Sequence, residues 1–353
     1  MRPPSPALLE LLGQRRVLFF GGKGGVGKTT LASATALALA RQGRRVLVVS
    51  TDPAHNLGHL WDTRVGTTTT PLFSDAGSGG AVLGMEIDAD AVAAEHLRTV
   101  EATVRAMMPE HLHGEVRRYF RLAEASPGTH EAALLEKMCT VVVQALAEVD
   151  VLIFDTAPTG HTARLLALPE LMSTWTDGLL RRREQSERFA DAITGLTRPR
   201  DDCDATTRAV LGDGPPTPRR AGGSASQRRD ADIRHLLERR KHLFERMRAV
   251  VTDPGTTTFV IVLIGERMPV LESQALYGQL EDAGVDVGAL VVNRRSPADA
   301  GEVLAERAAL EAEQVAALRG LIPRVPVVQV PQTRGGLSGA AQLGAVADLL
   351  AGR

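Results

Sequence analysis

Aromatic residues make up only 3% of this 353-residue chain, and cysteine appears just twice. Cys139 and Cys203 stand far apart and form no Cys-x-x-Cys pair, so neither a disulfide framework nor a thiolate zinc cluster is expected. Such sparing use of cysteine suits a reducing cytoplasm. A charge excess of either sign is also missing. The formal net charge is -1, which removes the global signature of a nucleic-acid-binding protein. Local basic clusters at Arg181, Arg182, Arg183 and at Arg239, Arg240, Lys241 read as solvated helix faces. No apolar run approaches the ~20 residues that span a bilayer. The opening MRPPSPALLELLGQRR lacks the long apolar centre of a signal peptide. The expected location is therefore cytoplasmic, with any membrane role exerted through a partner.

What is present is the balance of a globular protein with a sizeable core, at 44% hydrophobic and 24% charged residues. Short apolar runs at Val17–Phe20, Arg45–Ser50, Val82–Ile87, Val149–Phe154, Phe259–Ile264, Val287–Val292 and Val325–Val330 predict strands. Between them, helical stretches are predicted at Lys28–Arg41, Val92–His111, His130–Ala147, Leu171–Ile193, Ile233–Val251, Leu271–Ala283, Glu302–Arg319 and near Ser338–Ala351. Thr67–Gly80 is rich in Thr, Gly and Ser and reads as a loop. Residues 198–230, with their Arg, Asp, Gly, Pro and Ser, read as a mobile surface insertion. Strands alternating with helices predict an α/β fold: one mostly parallel central sheet covered by helices on both faces. The expectation is a single domain over 1–353, with a helical subdomain contributed by 88–148 and 170–251.

Residues 22–29 read Gly-Lys-Gly-Gly-Val-Gly-Lys-Thr and match the phosphate-loop pattern G-x-x-x-x-G-K-[ST]. The match follows a strand and opens a helix, as the mechanism requires. Gly22, Gly24, Gly25 and Gly27, with Val26 among them, let the backbone turn tightly and aim its N–H groups at phosphate oxygens. The helix N-terminus adds partial positive charge. Lys28 places a full charge on the β- and γ-phosphates of ATP, Thr29 offers its hydroxyl to Mg²⁺, and Thr30 reaches the α-phosphate. Lys23 is an addition the basic motif does not need. It reads as a lysine that crosses a homodimer interface to the partner's phosphates, a service in trans that can be worth about 10³–10⁵ in rate.

In an open parallel sheet, ligands bind beyond the carboxyl ends of the strands. Asp52, Asp155, Asn293 and Pro331 each follow a predicted strand and are expected on that edge. One carboxylate can position or deprotonate the attacking water, worth roughly 10²–10⁴. The other can support Mg²⁺ through water. Either can equally be a helix cap or turn former, and strand position alone does not divide the roles.

The KGGxGKT loop resembles that of arsenite-pump ATPases, tail-anchored-protein targeting ATPases, partition and division-site ATPases and nitrogenase iron protein. Residues 50–57 (STDPAHNL) and 155–162 (DTAPTGHT) narrow this, because they look like the two switch segments of the ArsA-type pump-driving and tail-anchored targeting family. The similarity continues through 252–262, 291–294 and 325–331. The resemblance implies that Asp52 activates the water, with Lys23 and Lys28 sharing catalysis. Pro53 and Asn56 would belong to the first switch. Asp155, which senses Mg²⁺, would open the second, with Pro158 and His161 inside it. Asn293 and the backbone near Pro331 would hold the adenine. Nucleotide-driven opening and closing of a homodimer would drive a membrane pump or handle a transmembrane-helix client. No nucleic-acid partner is expected.

The chain departs from the family in three respects. The pump members' cysteine cluster is missing, Cys139 reading as a buried hydrophobe. The targeting members' zinc CxxC is missing, so no zinc is expected. The polar stretch 198–230 falls where a client groove would lie. The stripe Leu97, Val100, Val104, Met107 and Met108 reads as core packing or groove lining. The alternative reading is a partition or division-site type ATPase acting as a nucleotide-switched spatial regulator.

Overall fold

Strand β1 (Val17–Gly21) is buried at every position, as expected of a strand covered on both faces. It lies at the centre of an eight-stranded sheet with β2 (Arg45–Ser50), β3 (Thr70–Ser74), β4 (Ala81–Glu86), β5 (Val151–Asp155), β6 (Thr257–Ile264), β7 (Val287–Arg295) and β8 (Val327–Pro331). The strand order is β3-β4-β2-β5-β1-β6-β7-β8. Every pairing is parallel except β3 with β4. This computed structural model describes residues 7–52, 56–107, 110–124, 127–156, 238–333 and 339–353. By compactness the chain divides into Met1–Pro169 with Arg246–Arg353, and Glu170–Glu245.

The helices of the first unit are α1 (Leu8–Leu12), α2 (Lys28–Ala40), α3 (Asn56–Trp61), α4 (Ala89–Met107), α5 (His113–Glu124), α6 (Pro127–Glu148), α8 (Arg267–Asp282), α9 (Glu302–Leu321) and α10 (Ala340–Leu350). A further helix, α7, covers 238–251 and buries Met247 and Val251. Helix α2 is hydrophobic nearly all round, which suits a helix buried between the sheet, α3 and α10. Its Leu31 and Leu37 join Leu18 and Phe20 of β1 and Val346 and Leu350 of α10 in one core. Within that core Trp61 donates its indole N–H to Ser33 Oγ at 3.0 Å, fixing α3 against α2. Although aromatics are few, three of them meet. Phe154, Phe19 and Phe259 sit at paired positions of β5, β1 and β6, with Phe19 ring-centroid distances of 4.9 Å to Phe154 and 6.2 Å to Phe259. Such cross-strand pairs lock the register of the three central strands.

The parallel α/β expectation holds, with local corrections. Part of the predicted loop Thr67–Gly80 is the antiparallel edge strand β3, which pairs with β4 through an irregular register between Pro71 and Phe73. Its Thr, Gly and Ser content masked a strand whose side chains are only half-buried. The helix predicted over Val92–His111 ends at Met107. A short 3₁₀ turn (Glu110–Leu112) then leads into α5, for which the sequence reading had no element. Leu97, Val100 and Val104 are partly buried on α4. The side chains of Met107 and Met108 lie outside the described residues, as do Leu171–Ile193, the stretch 198–230 and Cys203. Cys139 is fully buried in α6, as expected.

Candidate nucleotide site

Because the sheet is parallel around β1, the ends of β1, β2, β5, β7 and β8 open on one edge. At Gly21 the chain leaves β1, turns through residues 22–27, and enters α2 at Lys28. Two glycines of this turn cannot carry a side chain. Gly22 has φ +151, and a Cβ there would collide with the Val262 carbonyl oxygen. Gly27 caps α2 in the left-handed region at φ +95, and a Cβ there would run into the Asn293 amide. That amide donates from Nδ2 to the Val26 carbonyl at 2.8 Å, tying the turn to β7. Val26 is buried, so it anchors the turn from below.

Lys28 is nearly buried and donates from Nζ to the Lys23 carbonyl at 3.1 Å, curling over the turn. Burial holds its ammonium below the ordinary lysine range, against the opposing pull of Asp155 and Asp52. An anionic ligand would relieve that penalty. Asp155, the last residue of β5, is completely buried. Its Oδ2 accepts from Thr29 Oγ1 at 2.7 Å and from Ser50 Oγ at 3.3 Å. Its Oδ1 is buried with no hydrogen-bond partner among the described residues. Burial pushes the carboxyl up to about 6 and the Asp52 charge adds to this, while Thr29, Lys28 and Ser50 act in the opposite direction. A buried carboxylate with an orphan oxygen beside a threonine hydroxyl is a donor set suited to a hard, oxygen-seeking cation, so these residues fit Mg²⁺.

Lys23 projects from the turn with about half its side chain exposed. Its Nζ lies 2.9 Å from Glu272 Oε1 on α8. Asp52, just past β2, lines a cavity of about 310 Å³ together with Gly25, Gly27, Lys28, Thr29, Thr30, His59, Leu60 and Arg294. A second cavity of about 410 Å³ shares Gly27, Thr30 and Arg294 with the first, and is otherwise lined by Asn293, Val330, Pro331, Gln332, Thr333 and Val346. The two make one trough. Its first part is floored by the phosphate-loop residues, and its second lies on the ends of β7 and β8. Asn293 and Pro331 are strand residues rather than the residues after strands that the sequence suggested, because β7 and β8 each run further than their apolar cores.

The structure thus brings together Gly25, Gly27, Lys28, Thr29, Thr30, Asp52, Asp155, Asn293 and Pro331. Asn56 opens α3, though its side chain is not among those described. Pro53, Pro158 and His161 lie outside the described residues. Ser50 and Arg294 fall inside the segments 50–57 and 291–294 but had no role of their own, and sequence reading missed Glu272 and His59. Ser50 meets Asp155 through the β2–β5 register, which pairs the two residues on adjacent strands. Glu272 and His59 lie on helices with no motif to mark them.

Comparison with known proteins gives the same answer as the site. The profile of the family described as Anion-transporting ATPase matches residues 15–209 and 221–352. An ATPase ASNA1 homolog 1 from Paramecium tetraurelia is 28% identical over 277 residues, 78% of this chain and 74% of that protein. An ATPase ASNA1 homolog from Dictyostelium discoideum is 29% identical over 282 residues, 78% of this chain and 71% of that one. An arsenical pump-driving ATPase from Acidiphilium multivorum is 36% identical over 209 residues, which is 55% of this chain but only 33% of that protein. The chain therefore matches about a third of the length of that pump-driving relative. With the phosphate turn of 22–29 seated at the carboxyl edge of its sheet and the family match running along both flanks, this chain belongs to the ArsA-type anion-transporting ATPase family and is an ATPase.

Proposed function

We propose that the chain hydrolyses ATP with Mg²⁺ as a homodimer, and that the closing and opening of the dimer drives a membrane pump subunit or handles a membrane-protein client. The observation that carries this reading is the arrangement around Asp155, whose one oxygen holds Thr29 and whose other is buried and unpaired among the described residues. Bound there, Mg²⁺ would neutralise charge on the β- and γ-phosphates. Thr29 is the residue that would hold it, with Asp155 acting through water. Lys28 and the N–H groups of the turn bind and orient the triphosphate. Asp52, which lines the phosphate cavity, accepts the proton of the attacking water or holds that water in line.

Lys23 is the group that crosses to the partner. Its ion pair with Glu272 is half-exposed and therefore weak, on the order of 1 kcal/mol or less, so it is readily exchanged for a phosphate. Helices α4, α5 and α6 are the part that meets the client or pump. Among the described residues no helix is long and apolar enough to cross a membrane. The word "pump" in the names of the arsenical relatives supports the first coupling. The buried Cys139 thiol, pushed up to about 12 chiefly by its burial, gives that residue no thiolate for arsenite in the folded chain.

The test is phosphate release by the purified protein, paired with its mass in solution. Wild type should turn over ATP only with Mg²⁺ and should dimerise more tightly with it. Asp52→Asn should keep ATP binding and lose turnover. A wild-type level of turnover in Asp52→Asn, or no response of dimerisation to ATP, would contradict the reading.

A further inference from the structure

Strand β7 carries two adjacent arginines with opposite fates. Arg295 is fully absorbed by the fold. Its Nη1 lies 2.6 Å from Glu311 Oε2 and its Nε donates to Gln329 Oε1 at 3.0 Å. Glu311, itself buried, also accepts from the Ser296 amide at 3.0 Å, from Ser296 Oγ at 2.7 Å and from Arg307 Nε at 3.3 Å. This network clamps the end of β7 to α9 and β8. Arg294 is exposed and lines both cavities of the trough.

The backbone explains how it gets there. Pairing of β7 with β8 advances from Val292↔Gln329 to Arg295↔Pro331, three residues on one strand against two on the other. That is a β-bulge at Asn293–Arg294, and bulges beside sites re-aim side chains. Arg294 sits in the left-handed region at φ +55. Among the described residues only one other non-glycine, Asp62, has a positive φ. Glycine is the residue such a bulge favours, and an arginine there is strained. Residues held at such angles cluster at ligand-binding sites.

We propose that Arg294 is a nucleotide-binding residue whose guanidinium contacts the α-phosphate of ATP and ADP, at the point where the phosphate and base parts of the trough meet. The position follows from the lining: Arg294, Gly27 and Thr30 are the residues both cavities share. The chemistry follows from the guanidinium, which presents planar paired donors suited to phosphate oxygens. This role rests on the ATP reading above.

The experiment is calorimetric titration of full-length wild type, Arg294→Gly, Arg294→Lys and Lys28→Ala with MgATP and with MgADP, beside steady-state turnover and thermal melts. Arg294→Gly should bind both nucleotides about 10–100-fold more weakly, the worth of one charge-assisted hydrogen bond. The loss should be equal for the two, because both carry an α-phosphate. KM should rise while kcat stays within about threefold, since the contact is made in ground and transition states alike. The same variant should melt no lower than wild type, because glycine relieves the positive φ. Arg294→Lys should retain part of the binding. Wild-type affinity in Arg294→Gly, or a loss confined to ATP, would overturn the role of Arg294 even if Lys28→Ala no longer binds. Failure of the wild type to bind either nucleotide would instead overturn the ATP reading, and this inference with it.

Discussion

At the phosphate end of the trough, five of the nine lining residues come from one short stretch, 25–30, while Asp52, His59, Leu60 and Arg294 arrive from elsewhere and Asp155 holds Thr29 from β5. At the base end the lining comes from β7, the end of β8 and α10 as well as from Gly27 and Thr30, and a buried ion pair lies beside it at Arg295. The first is a local motif placed by one strand-to-helix turn. The second is a tertiary construction, with the Arg295–Glu311 ion pair bracing the strand end beside it. Asn293 links the two, lining the base end while its amide grips the Val26 carbonyl of the phosphate turn.

This contrast can be broken from either side. The largest effect should come from Lys23→Ala. If its ammonium completes the partner's site, kcat should fall by about 10³ or more, with ATP affinity of the monomer little changed. Turnover within tenfold of wild type in a phosphate-release assay would show that Lys23 serves only its Glu272 pair. At the base end, Glu311→Ala leaves Arg295 buried without its carboxylate and should cost about 3–5 kcal/mol in chemical denaturation. The phosphate turn should tolerate this change better than the Asn293–Pro331 region does, which hydrogen exchange at the two ends would reveal.

The next effect concerns the proton on Asp155. Its folded value of about 6 lies above its ordinary 3.8, so between these pH values the folded chain binds the extra proton. The linkage slope is then negative: this contribution is fully present below about pH 4 and is lost as pH rises through about 6, by about 2–3 kcal/mol at most. Asp155→Asn should lack this component, so the difference between the two proteins' denaturation curves across pH 4–7, without added metal, isolates it. Parallel curves would mean that the carboxylate is not destabilised by burial. The smallest effect should be Asn293→Ala, which removes one buried hydrogen bond to Val26 and should cost about 1–3 kcal/mol while weakening nucleotide binding at both ends.

The same contrast governs what the sequence discloses. The phosphate end was legible because a glycine turn, a lysine and a threonine at fixed spacing can serve little else once a strand precedes them and a helix follows. The α/β sheet was legible for a related reason, since buried parallel strands are continuous apolar runs. Strand β3 escaped because an edge strand with one open face needs no such run, and Thr70–Ser74 has none. The base end was visible only as Asn293 and Pro331. The bulge that turns Arg294 outward leaves no mark in an arginine pair, and Glu311, sixteen positions beyond Arg295, looks like any helix carboxylate. The pairing of Lys23 with Glu272 was equally hidden, because the two are 249 positions apart.

The central claim is that the turn over 22–29 holds the triphosphate. Calorimetric titration of wild type and Lys28→Ala with MgATP tests it most directly. Wild type should bind one nucleotide per chain, and the variant should lose at least about a hundredfold in affinity, the loss of a charged contact made in a largely buried setting. Equal affinities in the two proteins, or no heat of binding in wild type, would contradict it.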